Sequence, residues 1–399
     1  MLSVLNVSQN YYIRGGSDRY YFSVAELLEA RGHQVIPFTA NHPKNQPTDW
    51  SAYFPDAVNF DSPTPADIIR FLYSRPAAEA LQRLLSDHRP DIAHLHIYYG
   101  QLTSSILAPL RRAKIPVVQT LHEYKIVCPV YTLLSNGQIC QACEGHNFWQ
   151  VAARRCNQGS LARSVLSAAE SYVSTLLGAV DKVDHFIAVS DFLRNKVIEL
   201  GVPAHKVTTV HNFTDLSGIS PCGEVGEYFL YFGRLERLKG IFTLLKAMQS
   251  VRTPLLIVGD GKARAEVEEY VQQHDLKHVR ILGHQREQAL TDLIRGAICT
   301  ISPSEWYETF GLTLIESFAH GRPVIASRIG GMTEVVCDGT DGFLIEPGNV
   351  EALQDRLQWM ADHRDQAVKM GQAGRRKVEM QFSAEAHYHR LMDVYSKVM

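Results

Sequence analysis

Residues 297–329 read AICTISPSEWYETFGLTLIESFAHGRPVIASRI. Ala297–Pro303 is short, apolar and rich in β-branched residues, as a strand covered on both faces requires. A polar turn through Gly311 follows, then a helix expected to begin near Leu312, then a second apolar run, Pro323–Ile329. Strand, helix and strand in that order form a parallel pair with its crossover, because parallel strands cannot be joined by a tight turn.

The same alternation extends both ways. Upstream, Tyr228–Gly233, Pro254–Asp260 and Val279–Gly283 read as strands, and downstream Phe343–Glu346. A first series comprises Leu2–Ser8, Gln34–Ala40, Asp91–Ile97, Pro116–His122, His185–Ser190 and Lys206–Asn212, with an amphipathic helix from Gly15-Gly16 through Ala30. Between the series lies a stretch rich in Ser, Gly and Pro, expected as a linker over 213–226. The reading is α/β: two doubly wound Rossmann-like domains, 1–212 and 227–382, facing across a cleft. A length of 399 residues also suits two domains. Ligands of open parallel sheets bind beyond the carboxyl ends of the strands, so residues just after strands carry the functional reading.

Forty Lys and Arg against 42 Asp and Glu give a net charge of -2, which argues against a nucleic-acid binder. The opening MLSVLNVSQN lacks a basic, then apolar leader, and no run approaches 18 apolar residues. Seven cysteines without such a leader fit a reducing cytoplasm. A soluble cytoplasmic protein is expected.

After the first strand, Gly15 and Gly16 precede a helix. They admit a close-lying anion, though an ordinary turn reads equally well. Arg234 and Lys239 follow Gly233 at a strand–helix turn and can converge on phosphates; a solvated basic loop with Arg237 is the alternative. Glu308 and Glu316 flank Phe310-Gly311-Leu312, where free N–H groups of a helix start would lie beside a carboxylate. Such carboxylates suit the vicinal hydroxyls of a sugar and a ribose. His122, ending a strand, is placed to bond a ligand or to titrate near neutral pH, whereas His94 and His96 read as packed or surface residues. Neither a full G-x-G-x-x-G, a P-loop, nor Asp-x-Asp occurs. Without Asp-x-Asp, a phosphate leaving group must be neutralised by Arg, Lys and helix N-termini.

Cys128, Cys140, Cys143 and Cys156, spaced C-x11-C-x2-C-x12-C, fall in a stretch without helix or strand period. A structural zinc would explain an ordered loop of that length. An iron–sulfur cluster, a redox pair or four free thiols stay open. Cys222, Cys299 and Cys337 read as ordinary cysteines.

Assembled in order, GGSDRYYFSVAELLEARGHQV, FGRLERLKG, VGDGKARAEVE, PSEWYETFGLTLIESFAHGRPVIAS and GGMTEVVCDGTDGFLIEPGN resemble the retaining glycosyltransferases of family 4, of GT-B fold. The loop HEYKIVCP…CQAC is similar to that of a bacterial subgroup. The resemblance covers essentially the whole chain. It implies a metal-independent hexosyltransferase that moves sugar from a UDP- or GDP-sugar to a glycan or lipid-linked acceptor in polysaccharide biosynthesis, with no cofactor for catalysis.

By residue, it implies that Arg234 and Lys239 hold the diphosphate, with Gly16 approaching it and Gly15 beside it. Glu316 takes the ribose, Glu308 a sugar hydroxyl, and the amides of Phe310, Gly311 and Leu312 the sugar and phosphate. His122 sits by the sugar hydroxyls, and the last helix, 383–399, packs back on the first domain. Arg154, Arg155 and Arg163 offer peripheral contact with the inner face of a membrane, with a solvated helix flank as the plainer reading. The rival functions are an epimerase or phosphorylase of the same fold, or a non-catalytic scaffold.

Overall fold

In the computed structural model, which describes residues 1–285 and 287–399, all twelve expected strands are present within three residues of their predicted ends. They are β1 Ser3–Val7, β2 Gln34–Phe38, β3 Ile92–Leu95 and β4 Val117–Leu121, then a short hairpin of β5 Leu134–Ser135 and β6 Gln138–Ile139. Next come β7 His185–Ala188, β8 Val207–Thr209, β9 Tyr228–Phe232, β10 Leu255–Val258 and β11 Val279–Gly283. The last three are β12 Ala297–Ser302, β13 Val324–Ser327 and β14 Gly342–Ile345.

Two six-stranded sheets result, ordered β2-β1-β3-β4-β7-β8 and β11-β10-β9-β12-β13-β14, with every pair inside them parallel. Both are doubly wound, and the second has the dinucleotide-fold order. Its direction of growth reverses between β9 and β12, which pair with Leu230 opposite Thr300. In the first sheet the reversal falls between β1 and β3. Ligands are expected at such switch points. Here they are followed in sequence by Gly233–Lys239 and Pro303–Glu308, and by Ser8–Gly16 and His96.

The chain forms two units, Met1–Val210 with Tyr388–Met399, and His211–His387. In the first, the closing helix Ala384–Val398 brings Tyr395 Oη within 2.7 Å of His94 Nδ1, and Tyr388 Oη within 2.8 Å of His33 Nε2. In the second, Phe229, Leu244, Leu255, Ile257, Ile298 and Leu357 are among the fully buried core residues.

The Ser-, Gly- and Pro-rich stretch expected as a linker departs from that reading, because its backbone is bonded to the second unit. Arg322 donates to Glu224 O (2.8 Å) and to Cys222 Sγ (3.1 Å). Arg295 donates to Ser220 O (3.1 Å) and Arg375 to Ile219 O (3.0 Å). Cys222 N–H donates to His320 O (2.9 Å). Three guanidiniums thus satisfy carbonyls that a free linker would leave to water.

Candidate functional site

Beyond β9 the chain turns through Gly233 into a short helical turn, Arg237–Lys239. Beyond β12 it forms a loop that ends at Gly311, from which the helix Leu312–Ala319 begins. Glu305 N–H donates to Leu238 O (2.9 Å), and Thr243 Oγ1 bonds the Glu305 carboxylate, which locks the two loops together. Across that seam Lys239 donates to Glu308 Oε1, and Ser304 Oγ donates to the same oxygen at 2.6 Å. The Lys239 ammonium lies 5.3 Å from the centre of the Trp306 ring.

Glu308 is 8% exposed. Burial alone would raise its pKa. The Lys239 charge and the hydrogen bonds of Lys239 and Ser304 outweigh it and hold the carboxyl below its ordinary value. The site therefore keeps an ionised carboxylate and an ammonium together in a confined space.

Arg234, five residues before Lys239 on the same turn, is exposed and pairs with Glu236 at 3.1 Å. Its carbonyl accepts from Tyr231 Oη at 2.9 Å, which sets the turn. The rival cation, Arg237, pairs instead with Glu266 and packs over the Phe242 ring. Gly311 caps the helix Leu312–Ala319 without any side-chain cap bond, so its first N–H groups are not taken up by a capping side chain. Phe310 is buried against Phe382 (ring centres 5.6 Å apart), which assigns its side chain to packing. Glu316 stands in the second turn of the helix, partly exposed.

In the first unit Gly15 caps the helix Gly16–Glu29, and Asp18 accepts from Arg14 N–H at 2.9 Å. His122 follows β4 and is joined to a partner that its sequence context does not announce: His96 Nδ1 lies 3.1 Å from His122 Nε2. His96 Nε2 in turn lies 2.9 Å from Asn6 Oδ1, while the Asn6 amide nitrogen donates to Tyr21 O. An acceptor at Asn6 fixes the proton of His96 on Nε2, so His96 Nδ1 accepts from His122 Nε2–H. His122 Nδ1 is then the acceptor atom of that ring. The signal for His96 was present in the spacing: His94 on β3 and His96 just beyond its end are two residues apart, and their rings stack at 4.3 Å.

Burial pushes His122 down to about 3, and burial with the neighbouring His94 and His122 pushes His96 well below its ordinary value. His122 is thus a neutral hydrogen-bonding group, and of the two roles open to it from the sequence, bonding a ligand or titrating near neutral pH, burial disfavours the second. The sign of the linkage follows. Unfolded histidines take up protons near 6.5 while these folded rings do not, so the native state loses stability as pH falls below 6.5 toward the folded values. Between pH 6.5 and 5 His122 costs about 2 kcal/mol, and His96 acts in the same direction. The melting temperature should fall over that range, and less steeply in His122→Gln. A ring of His122 that titrates near 6.5 by NMR contradicts this.

Cys128, Cys140, Cys143 and Cys156 all line one small cavity in the first unit. Burial, then the sulfurs of Cys128, Cys156 and Cys140, push the Cys143 thiol up to about 12. Cys222 and Cys299 are buried, and Cys337 is exposed.

Residues 14–217 match the family model described as Glycosyltransferase Family 4, and residues 217–377 match Glycosyl transferases group 1. The chain is 26% identical over 220 residues to an uncharacterised glycosyltransferase of Methanocaldococcus jannaschii, spanning 55% of this chain and 61% of that protein. It is 25% identical over 412 aligned residues to glycogen synthase of Mycobacterium tuberculosis, spanning 96% and 91% of the two chains. Its fold is similar to that of HepE from Anabaena, solved in complex with UDP and glucose. That match has a TM-score of 0.67 at 18% identity and covers 99% of this chain and 100% of the other.

Proposed function

The chain belongs to Glycosyltransferase Family 4 and has the GT-B fold of two Rossmann-like domains, and from that premise we propose that it is a retaining, metal-independent hexosyltransferase. Its donor is a UDP- or GDP-sugar, and its acceptor a hydroxyl of a glycan or lipid-linked glycan in cell-surface polysaccharide biosynthesis. The observation that carries the reading is the Lys239–Glu308–Ser304 cluster beyond the switch point of the second sheet, beside a helix start without a side-chain cap. The UDP bound by HepE supports a nucleotide donor.

The chemistry divides by charge. As the anomeric C–O bond breaks, its electron pair stays on the diphosphate, and Arg234, Lys239 and the amides at Phe310–Leu312 neutralise that charge without reorganisation. The acceptor hydroxyl attacks the same face, and its proton passes to the departing phosphate oxygen. Glu308 accepts from a sugar hydroxyl, Glu316 from the ribose, and His122 Nδ1 from a second sugar hydroxyl. The backbone at Gly15-Gly16 lies along the diphosphate.

A thermal-shift screen with UDP, GDP, ADP and their sugar conjugates, without added metal, tests the donor. A nucleotide at about 100 times its Kd adds about 2.7 kcal/mol. One nucleotide should stabilise the protein, and Arg234→Ala and Glu316→Ala should abolish the shift. Gly15 adds a sharper arm. Its backbone is extended (φ −169°) and a Cβ there meets nothing within 4 Å, so the fold itself does not demand glycine. Gly15→Ala should melt like the parent yet bind the nucleotide more weakly. Stabilisation by no nucleotide overturns the reading, and a product of inverted anomeric configuration overturns the retaining step.

The reading places the enzyme in the cytoplasm, in contact with the inner face of the membrane. No helix among the described residues is long and apolar enough to cross a bilayer. Leu161, Val165 and Leu176 are exposed on the helix Leu161–Leu176, near exposed Trp149, Arg154, Arg155 and Arg163, a mixture suited to an anionic interface. Vesicles rich in anionic lipid should sediment the protein at low salt, and replacing the three arginines with alanine should release it. Equal sedimentation of parent and variant removes the contact.

A further inference from the structure

No step of the proposed sugar chemistry uses the cysteine loop, yet it is built with unusual backbone constraint. Of nine non-glycine residues with positive φ among the described residues, six lie in it: Tyr131, Leu133, Asn136, His146, Arg155 and Gln158. Each costs on the order of 1 kcal/mol or more and persists only where surrounding structure over-determines it. The bulky Tyr131 and Leu133 are the least expected there, and they follow Cys128 directly. The only sheet in the loop is the two-residue pairing of β5 with β6. Something besides regular secondary structure must hold this backbone.

Local backbone bonds fix the positions of the four cysteines, and Cys156 Sγ donates to Ser135 Oγ at 3.7 Å. Cys128 N–H donates to Tyr124 O (2.8 Å) and Tyr131 N–H returns to Cys128 O (2.8 Å), a tight turn at the first cysteine. Cys140 N–H donates to Leu133 O (2.8 Å), so the hairpin delivers the second, and the C-x2-C spacing delivers Cys143. Cys156 N–H donates to Val151 O (3.0 Å) at the end of the helix Trp149–Ala153. All four cysteines line one cavity of about 10 Å³, whose other walls include Val127, Val130, Leu133, Leu134, Val151 and Leu200. None of the four forms a disulfide.

That volume holds about one water-sized body. A water would need two to four good polar partners, and thiols are weak ones. Four sulfurs in an apolar shell are instead the donor set for a soft, tetrahedral ion. We propose that Cys128, Cys140, Cys143 and Cys156 form a tetrathiolate site for one Zn²⁺, which staples this loop. No three of the sulfurs lie mutually within 4.8 Å. Binding must therefore rotate the side chains inward to the roughly 3.8 Å spacing implied by Zn–S bonds of about 2.3 Å, with the four thiol protons released to solvent.

The staple has a target. Cys128 closes the turn that follows His122 and Glu123, and between them Lys125 makes a buried ion pair with Glu170 and donates to Pro129 O at 2.9 Å. A metal at Cys128 holds in place the segment that carries His122.

The full chain, expressed with zinc in the medium and purified without chelator, should contain about one zinc per molecule. The zinc should be released by a mercurial thiol reagent. Replacement by Co²⁺ should give the visible bands of tetrahedral cobalt with strong thiolate charge-transfer absorption. Cys143→Ser should lose the metal, and Cys337→Ser should keep it. A variant that misfolds does not protect the idea, because stripping the zinc from the unmodified chain with a strong chelator should lower its melting temperature and open residues 129–158 to limited proteolysis. Less than about 0.2 zinc per chain, a Cys140–Cys143 disulfide in the purified protein, or an octahedral cobalt spectrum overturns the proposal.

Discussion

Lys239→Met should destabilise the second unit by about 3–5 kcal/mol, whereas Glu308→Gln should cost about 1 kcal/mol, although both remove the same ion pair. The asymmetry follows from what each variant leaves behind. Lys239→Met strands a carboxylate that is 8% exposed, with Ser304 Oγ still donating to it. A buried charge without its counter-ion is the expensive case. Glu308→Gln leaves an ammonium whose side chain is 20% exposed and whose flexible stem can carry it to water. In melting temperature the first loss is on the order of 10 °C and the second a few degrees. If the proposed donor site is right, turnover should fall by about 10²–10³ in both, because each removes a group assigned there to the donor. Calorimetry against pH supplies the decisive check. With its partner, Glu308 has a lowered pKa, so its stabilisation is present above the unfolded carboxylate value and is lost as pH falls through the folded one. Without Lys239 its pKa rises, the sign reverses, and the stability gap to the parent should narrow as pH drops from 7 toward 5. Equal losses in the two variants, or a gap indifferent to pH, would sink this account of the pair.

The strands were legible because parallel strands buried on both faces appear as unbroken apolar runs, as in YFLYF of β9 and LLIV of β10. The helix start at Leu312 was legible for a related reason: glycine at 311 ends a polar turn and an apolar period begins. The 213–226 stretch was misread because composition reports only what a segment contains. Its partners Arg295, Arg322 and Arg375 lie 75 to 156 residues away, and nothing local marks them.

The site was legible as residue types but not as contacts. Arg234, Lys239 and Glu308 were singled out from their places after strands, and Glu316 from the helix that follows. That Lys239 bonds Glu308 rather than standing apart from it depends on packing between residues 69 positions apart. His122 shows the same limit in its ionisation. A histidine at a strand end leaves ligand bonding and titration both open, and only the surrounding protein makes it a neutral ring held by His96. Period-two spacing at the end of β3 was the one local clue to that partner, and it looked like packing.

Gly240→Ala and Gly330→Ala should each cost about 3–5 kcal/mol and disrupt the Lys239–Glu308–Ser304 cluster. Gly240 sits at φ +69° as the hinge after Lys239, and a Cβ there would lie 1.8 Å from Pro303 O. Gly330 sits at φ +62°, where a Cβ would lie 2.2 Å from Glu308 O, the carbonyl that accepts from Gly331 N–H at 2.8 Å. Both clashes are with backbone, so no side-chain rotation relieves them. In Gly240→Ala the β9 and β12 loops must separate, in Gly330→Ala the loop after β13 must move off Glu308, and either displaces the Lys239–Glu308 contact. Gly339 isolates the steric part of the cost: its φ is +76°, but a Cβ there meets nothing within 4 Å. Gly339→Ala therefore carries only the left-handed backbone cost of about 1–2 kcal/mol. The excess in the other two is the overpacking. Denaturant melts of the three variants should rank Gly339→Ala well above the other pair, with activity retained in it alone. Three equal losses would mean that backbone conformation, and not the close approach of the two loops, is what glycine supplies here.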